Sequence, residues 1–237
     1  MNDWAPAMRL LTRFEPGAER SGGGFALPWF PAVGAGLGLA GWVLAALAVW
    51  LFGPRAGAAV AAVAILIFEG WATGGRRYTA TVRLLEGFSE GAANAETSAY
   101  LRLAAFQGIL VLKLACYGVL AGTHRGAWLM VVGALSAAAA VHASAVLRPS
   151  HRAGAEALWE DWGHWLAAAG VAVIAGRLAG ALLPGLFAAS LCWILPAPLA
   201  GLLGPDCREA GSTAWLSLAE ALALVVLVVG ALAALGA

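Results

Sequence analysis

Charge is the scarcest commodity in this 237-residue chain. Only 11% of its residues are Asp, Glu, Lys or Arg, against 62% hydrophobic, and the mean hydropathy is +0.82. Ordinary soluble domains are about 45–50% apolar and about 25% charged, so a soluble core cannot account for this composition. The excess apolar surface must face lipid. The net charge of +1 provides no broad basic surface, which argues against a nucleic-acid partner. Cysteine is also sparse: Cys116 and Cys192 lie in apolar runs and Cys207 stands alone, with no CxxC spacing and no disulfide framework. The four histidines are scattered, and no Ser–His–Asp grouping suggests nucleophilic catalysis. What the chain has in abundance is glycine, 31 residues, together with many alanines. Small residues let helix backbones approach closely within a bilayer.

The sequence predicts an all-α, polytopic membrane protein with about seven transmembrane helices. Residues 1–27 form an N-terminal interfacial segment in which Trp4, Met8, Leu11 and the pair Leu10 and Phe14 recur at roughly helical spacing. Residues 28–237 form a single membrane domain with spans near 30–52, 57–74, 103–121, 127–147, 163–183, 185–203 and 213–236. Pro184 and Gly185 mark a break between the fifth and sixth, where a re-entrant pair is the other arrangement. A cytoplasmic loop covers about 75–102, with a small-residue linker through Gly91–Ser98.

Basic residues orient the layout. Arg9, Arg13, Arg20, Arg76, Arg77, Arg83, Arg102, Arg148, Arg152 and Arg208 fall on one side. Arg55 and Arg125 fall on the other, and Lys113 and Arg177 lie inside spans. The positive-inside bias puts the N-terminus in the cytoplasm and the C-terminus outside, in a multi-pass protein of the cell inner membrane. Trp29, Trp128, Trp159, Trp162 and Trp165 stand near span boundaries as an aromatic belt.

Three stretches carry a family resemblance. Leu10-Leu11-Thr12-Arg13 is followed by Trp29-Phe30-Pro31-Ala32-Val33-Gly34, with Gly36 and Gly38 beyond. Near the C-terminus, a glycine-bounded turn from Gly204 to Gly211 precedes Glu220 in the last span. In these elements the chain resembles the cobalamin 5'-phosphate synthases (adenosylcobinamide-GDP ribazoletransferases). These multi-span membrane enzymes join α-ribazole or its phosphate to activated cobinamide using Mg²⁺. The resemblance implies an acidic motif after the second span, and there this chain departs from the family. Thr73, Gly75, Thr79 and Val82 stand where a histidine and three aspartates are expected, and no carboxylate lies between Glu69 and Glu86. Leu101-Arg102-Leu103-Ala104 replaces a methionine-lysine-aspartate element, and Ala210 falls at the aspartate of the C-terminal turn. Hard oxygen ligands are what a Mg²⁺–diphosphate site requires. The resemblance therefore implies a degenerate member with no metal site and no resident cofactor. Its expected role is a structural or accessory subunit whose partners are lipid and other membrane protein subunits. The alternative is a divergent, active Mg²⁺-dependent transferase drawing on Glu69, Glu86, Asp206 and Glu209, which are not spaced to converge from one helix face.

The candidate site residues are Glu69, Lys113, Glu220, Arg76 and Arg77. Glu69 is either a surviving acid of the old site or a helix-paired carboxylate. Lys113 either touches substrate or forms an ion pair with Glu220 or Glu69. Arg76 and Arg77 either hold phosphate or serve topology alone, and the adjoining Gly74-Gly75 pair is a turn, since no phosphate-loop lysine follows it. His142, His164 and Arg177 are the other ionisable residues in or near spans. The first is read as a packing residue or a metal ligand, the second as interfacial. Arg177 is read as an anion or headgroup contact, or as the pairing partner of another subunit.

Overall fold

In the computed structural model the described residues are 11–12, 29–75, 78–79, 95–147, 169–170, 173–174, 177, 182–195 and 207–236. Among them there are helices and turns and no strand. The main elements are α1 (Trp29–Thr73), α2 (Ala95–Gly122), α3 (Trp128–Leu147), α4 (Leu182–Ile194) and α5 (Cys207–Gly236). Three helical stretches are long and apolar enough to cross a membrane: Trp29–Thr73, Leu103–Gly122 and Ser217–Ala234.

The 45-residue α1 is not one straight rod. Gly53 adopts φ 76° and ψ 171°, a conformation almost restricted to glycine, and Pro54 follows it. Proline is well placed at the start of a new helical run, where its missing N–H costs nothing. The two halves fold back on each other: a Cβ on Gly57 would lie 2.5 Å from the Val49 Cα, and Gly41 faces Ile65. The separate stretches 30–52 and 57–74 expected from hydropathy are these two arms. Gly53→Ala forces an L side chain into that conformation at a cost of about 1–3 kcal/mol. The expected result is a lower thermal midpoint in detergent with unchanged helix content.

Helix α3 is the centre of the packing, in contact with α1, α4 and α5. Residues from Trp128 to Val141 are almost all buried, so the helix is surrounded rather than two-faced. Its closest neighbour is the first arm of α1. A Cβ built on Gly34 would fall on the Gly133 carbonyl oxygen, one on Gly38 would fall on the Leu129 carbonyl oxygen, and one on Gly133 would fall on the Gly34 carbonyl oxygen. Gly34 and Gly38 are four residues apart, the small-xxx-small spacing of close helix pairs. Gly36, between them, has open space around it.

The outer surface is apolar and aromatic. Trp42, Trp50, Trp71, Ile67, Leu183 and Phe187 are exposed, Trp50 to 79%. No aqueous surface accommodates this, whereas lipid does. Leu11 is buried with Phe30, Ala137, Ala140 and Val141, so this residue of the N-terminal segment is seated against α1 and α3.

Four sequence expectations are corrected. Trp128 is not a belt residue: it is wholly buried in the core, with the Arg125 guanidinium 4.8 Å from its ring centroid. Pro184 does not precede the helix but lies in the first turn of α4, which begins at Leu182, where proline is tolerated. Helix α2 begins at Ala95, inside the stretch read as a linker, and α5 begins at Cys207. Both gain polar N-terminal turns that a hydropathy window discards. Trp159, Trp162, Trp165 and His164 lie outside the described residues.

Candidate functional site

The polar centre is assembled from three helices. Glu69 lies near the end of the second arm of α1, Lys113 and Tyr117 lie on α2, and Glu220 lies on α5. Lys113 and Tyr117 are four residues apart, hence on one helix face. All four are buried, and Lys113 is fully so. The Lys113 ammonium donates to Glu69 Oε1 at 2.6 Å and to Glu220 Oε2 at 2.9 Å. The Tyr117 hydroxyl lies 3.0 Å from Glu69 Oε2 and 3.0 Å from Glu220 Oε1. One ammonium and one phenol thus bridge the same two carboxylates, from α1 on one side and α5 on the other.

A turn completes the centre. Gly74 and Gly75 both have positive φ, and the Gly75 N–H donates to the Gly70 carbonyl at 2.9 Å, the six-to-one bond of a Schellman cap. This stops α1 and turns the chain back, so that the Tyr78 hydroxyl donates to Glu69 Oε2 at 3.2 Å. The Tyr78 ring lies 5.2 Å from the Lys113 ammonium and meets Phe106 edge-on. Thr73 is kept local, its hydroxyl donating to the Glu69 carbonyl at 2.8 Å.

A cavity of about 40 Å³ adjoins the cluster, lined on its polar side by Glu69, Thr73, Tyr117 and Glu220. Leu37, Gly38 and Gly41 of α1 and Leu129, Val132 and Gly133 of α3 form its apolar wall. It exceeds the roughly 10–15 Å³ that one water needs.

The structure therefore brings together three of the five residues singled out by sequence: Glu69, Lys113 and Glu220. Lys113 pairs with both carboxylates, where sequence offered one or the other. Arg76 and Arg77 lie outside the described residues, as do Glu86 and Asp206, and nothing is described of the Glu209 side chain. Arg177 is exposed, and His142 is half-buried on α3. Sequence reasoning passed over Tyr117 and Tyr78. For Tyr117 a signal existed, its four-residue spacing from Lys113. For Tyr78 none did, because its position depends on the Gly74-Gly75 cap.

Mg²⁺, which the family resemblance would imply, does not fit these residues. The point between the two carboxylates, where a divalent cation would sit, is filled by the Lys113 ammonium. The Lys113 ammonium and the Tyr117 hydroxyl thus link α1, α2 and α5 through buried polar contacts. No protein-family model, curated protein or solved structure matches the chain.

Proposed function

We propose that this chain is a non-catalytic membrane scaffold, a structural or accessory subunit built on a frame resembling the cobalamin 5'-phosphate synthases. The observation that carries the proposal is the Lys113 bridge: the ammonium occupies the space between Glu69 and Glu220 and commits both acids to helix packing. The three aspartates that would serve phosphoryl transfer are replaced at Gly75, Thr79 and Val82, and the motif's histidine at Thr73. In this reading the protein crosses the inner membrane seven times, N-terminus in the cytoplasm and C-terminus outside. The positions of the helix ends support that count. Gly53 and the Thr123–Ala127 turn lie at one end of the bundle, where Trp50 and His124 line a common cavity. Leu147 ends α3 at the opposite end, yet Leu182 begins α4 back at the first, with Pro184 against Gly230 near the end of α5. One further crossing between 147 and 182 accounts for this. The exposed tryptophan-rich faces supply contact with lipid and with helices of other subunits.

Two measurements test the proposal together. Protein reconstituted in lipid and given Mg²⁺, α-ribazole and cobinamide-GDP should form no product above a metal-free control. Purification in mild detergent should retain stoichiometric membrane partners. Mg²⁺-dependent turnover abolished by Glu69→Gln would establish the alternative, an active ribazoletransferase. A protein that purifies alone would end the subunit assignment.

A further inference from the structure

Two helix ends in this protein carry the same cap, and they differ at its turning point. After α2 the Arg125 N–H donates to the Leu120 carbonyl at 2.8 Å and the His124 N–H to the Ala121 carbonyl at 3.2 Å, the paired bonds of a Schellman motif. After α1 the Gly75 and Gly74 N–H groups make the same two bonds, to Gly70 and Trp71. The motif needs a left-handed residue, and there it is Gly74, with φ 61°. After α2 it is His124, with φ 57°, the only non-glycine of positive φ among the described residues. A Cβ makes that conformation costly where glycine adopts it freely. Both cap bonds are made by backbone, so the imidazole contributes nothing to the turn, and His124 is exposed.

His124 instead lines a cavity of about 310 Å³, within the roughly 300–1,000 Å³ range of ligand pockets. One wall is the first arm of α1, where Trp42, Ala45, Val49 and Trp50 follow the i, i+3, i+7, i+8 spacing of a single helix face. Both tryptophans are exposed. The other wall is the turn after α2, and it closes on Trp42 only because residue 126 is glycine: a Cβ there would lie 2.7 Å from the Trp42 ring. The surrounding charge is of one sign. Residues 42–57 and 119–130, which carry both walls, contain Arg55, His124 and Arg125 and no acid. Arg125 lies over the Trp128 ring, which holds its guanidinium at the turn without consuming its N–H donors.

We propose that the protein binds one anionic phospholipid at this pocket, its acyl chain along the Trp42–Trp50 face and its phosphate on the donors of His124 and Arg125. The apolar wall accounts for the chain, which a free phosphate lacks. The basic turn with no acid beside it accounts for the anionic head and disfavours a zwitterionic lipid, whose ammonium would meet only like charge. Helix α1 folds back at Gly53 at this end, so in a bilayer the turn stands where two apolar arms stop, at headgroup depth. A phosphate ligand at His124 explains why the strained position is not glycine. The site rests on the proposed placement in a bilayer and not on the subunit role.

Native mass spectrometry of the full-length protein in mild detergent, given phosphatidylglycerol or phosphatidylcholine, tests this. One phosphatidylglycerol should be retained per chain, about tenfold more tightly than phosphatidylcholine, as hydrogen bonds to a charged group imply. Inorganic phosphate should not displace it. His124→Gly should weaken phosphatidylglycerol binding about tenfold. The same change should raise the melting midpoint of the lipid-free protein, because glycine relieves the left-handed strain. Trp50→Ala, at an exposed side chain, should weaken binding and leave that midpoint unchanged. Equal retention of the two lipids, displacement by inorganic phosphate, or undiminished binding in His124→Gly would each overturn the proposal. So would a dimer that Trp50→Ala dissolves, since a second copy would then fill the pocket. Flotation on phosphatidylcholine vesicles separates the failures: a protein that does not float ends the membrane reading as well, and one that floats without lipid preference ends this site alone.

Discussion

Replacing Lys113 with methionine lowers the stability of the folded protein by about 3–5 kcal/mol, the cost of leaving buried charge without its counter-charge. The two carboxylates of Glu69 and Glu220 both rely on this ammonium, which is wholly buried between α1, α2 and α5. Methionine matches the lysine stem in bulk, so little of the loss comes from packing. Neutralising all three positions, as Lys113→Met with Glu69→Gln and Glu220→Gln, should return stability to near or above wild type, since a buried ion pair contributes little net energy once its desolvation is counted. Unfolding in graded detergent mixtures provides the measurement. A Lys113→Met single variant as stable as wild type at neutral pH would show that the clasp does not hold the helices together.

A leucine at Gly34 should cost at least the about 1–3 kcal/mol typical of overpacking. The first atom of its side chain would already occupy the position of the Gly133 carbonyl oxygen, and that atom is backbone, which cannot swing aside. Helices α1 and α3 would have to part along the Gly34–Gly38 face. The same separation would widen the small cavity beside Glu69 and loosen Leu11 from its seat against Phe30 and Val141. Gly36→Leu is the matched control, two residues away on the same helix with nothing near its Cβ direction. It should be close to neutral. Equal losses at the two positions would mean that helix propensity or insertion, and not the α1–α3 contact, governs the effect.

Much of this was legible in the chain before any coordinates. Low charge and long apolar runs require membrane helices, and a lysine midway along one of them requires a carboxylate partner. Glu69 and Glu220 were the available acids, and both are used. The glycines near the first span were legible as a motif but not as a surface. Hydropathy cannot distinguish Gly34 and Gly38, which touch α3, from Gly36, which does not. That distinction follows from helical phase relative to a neighbour whose position is not encoded locally. Trp128 misled for a similar reason: tryptophan at a span boundary ordinarily faces the headgroups, but here the helix it begins is encircled by others. Tyr117 was overlooked because tyrosine in an apolar run reads as bulk. Only the three-dimensional meeting of α1, α2 and α5 makes its hydroxyl the central atom of a chain.

The double-glycine cap after Thr73 has a mechanical consequence. By turning the chain so that Tyr78 returns to Glu69, it ties the root of the segment leading to α2 to a buried carboxyl of the bundle. Any pull on that segment acts through a leash only a few residues long. Its far end is the Tyr78 hydroxyl, which donates to Glu69. A pull on that short tether acts on the buried ion pair itself and not on the helix end alone.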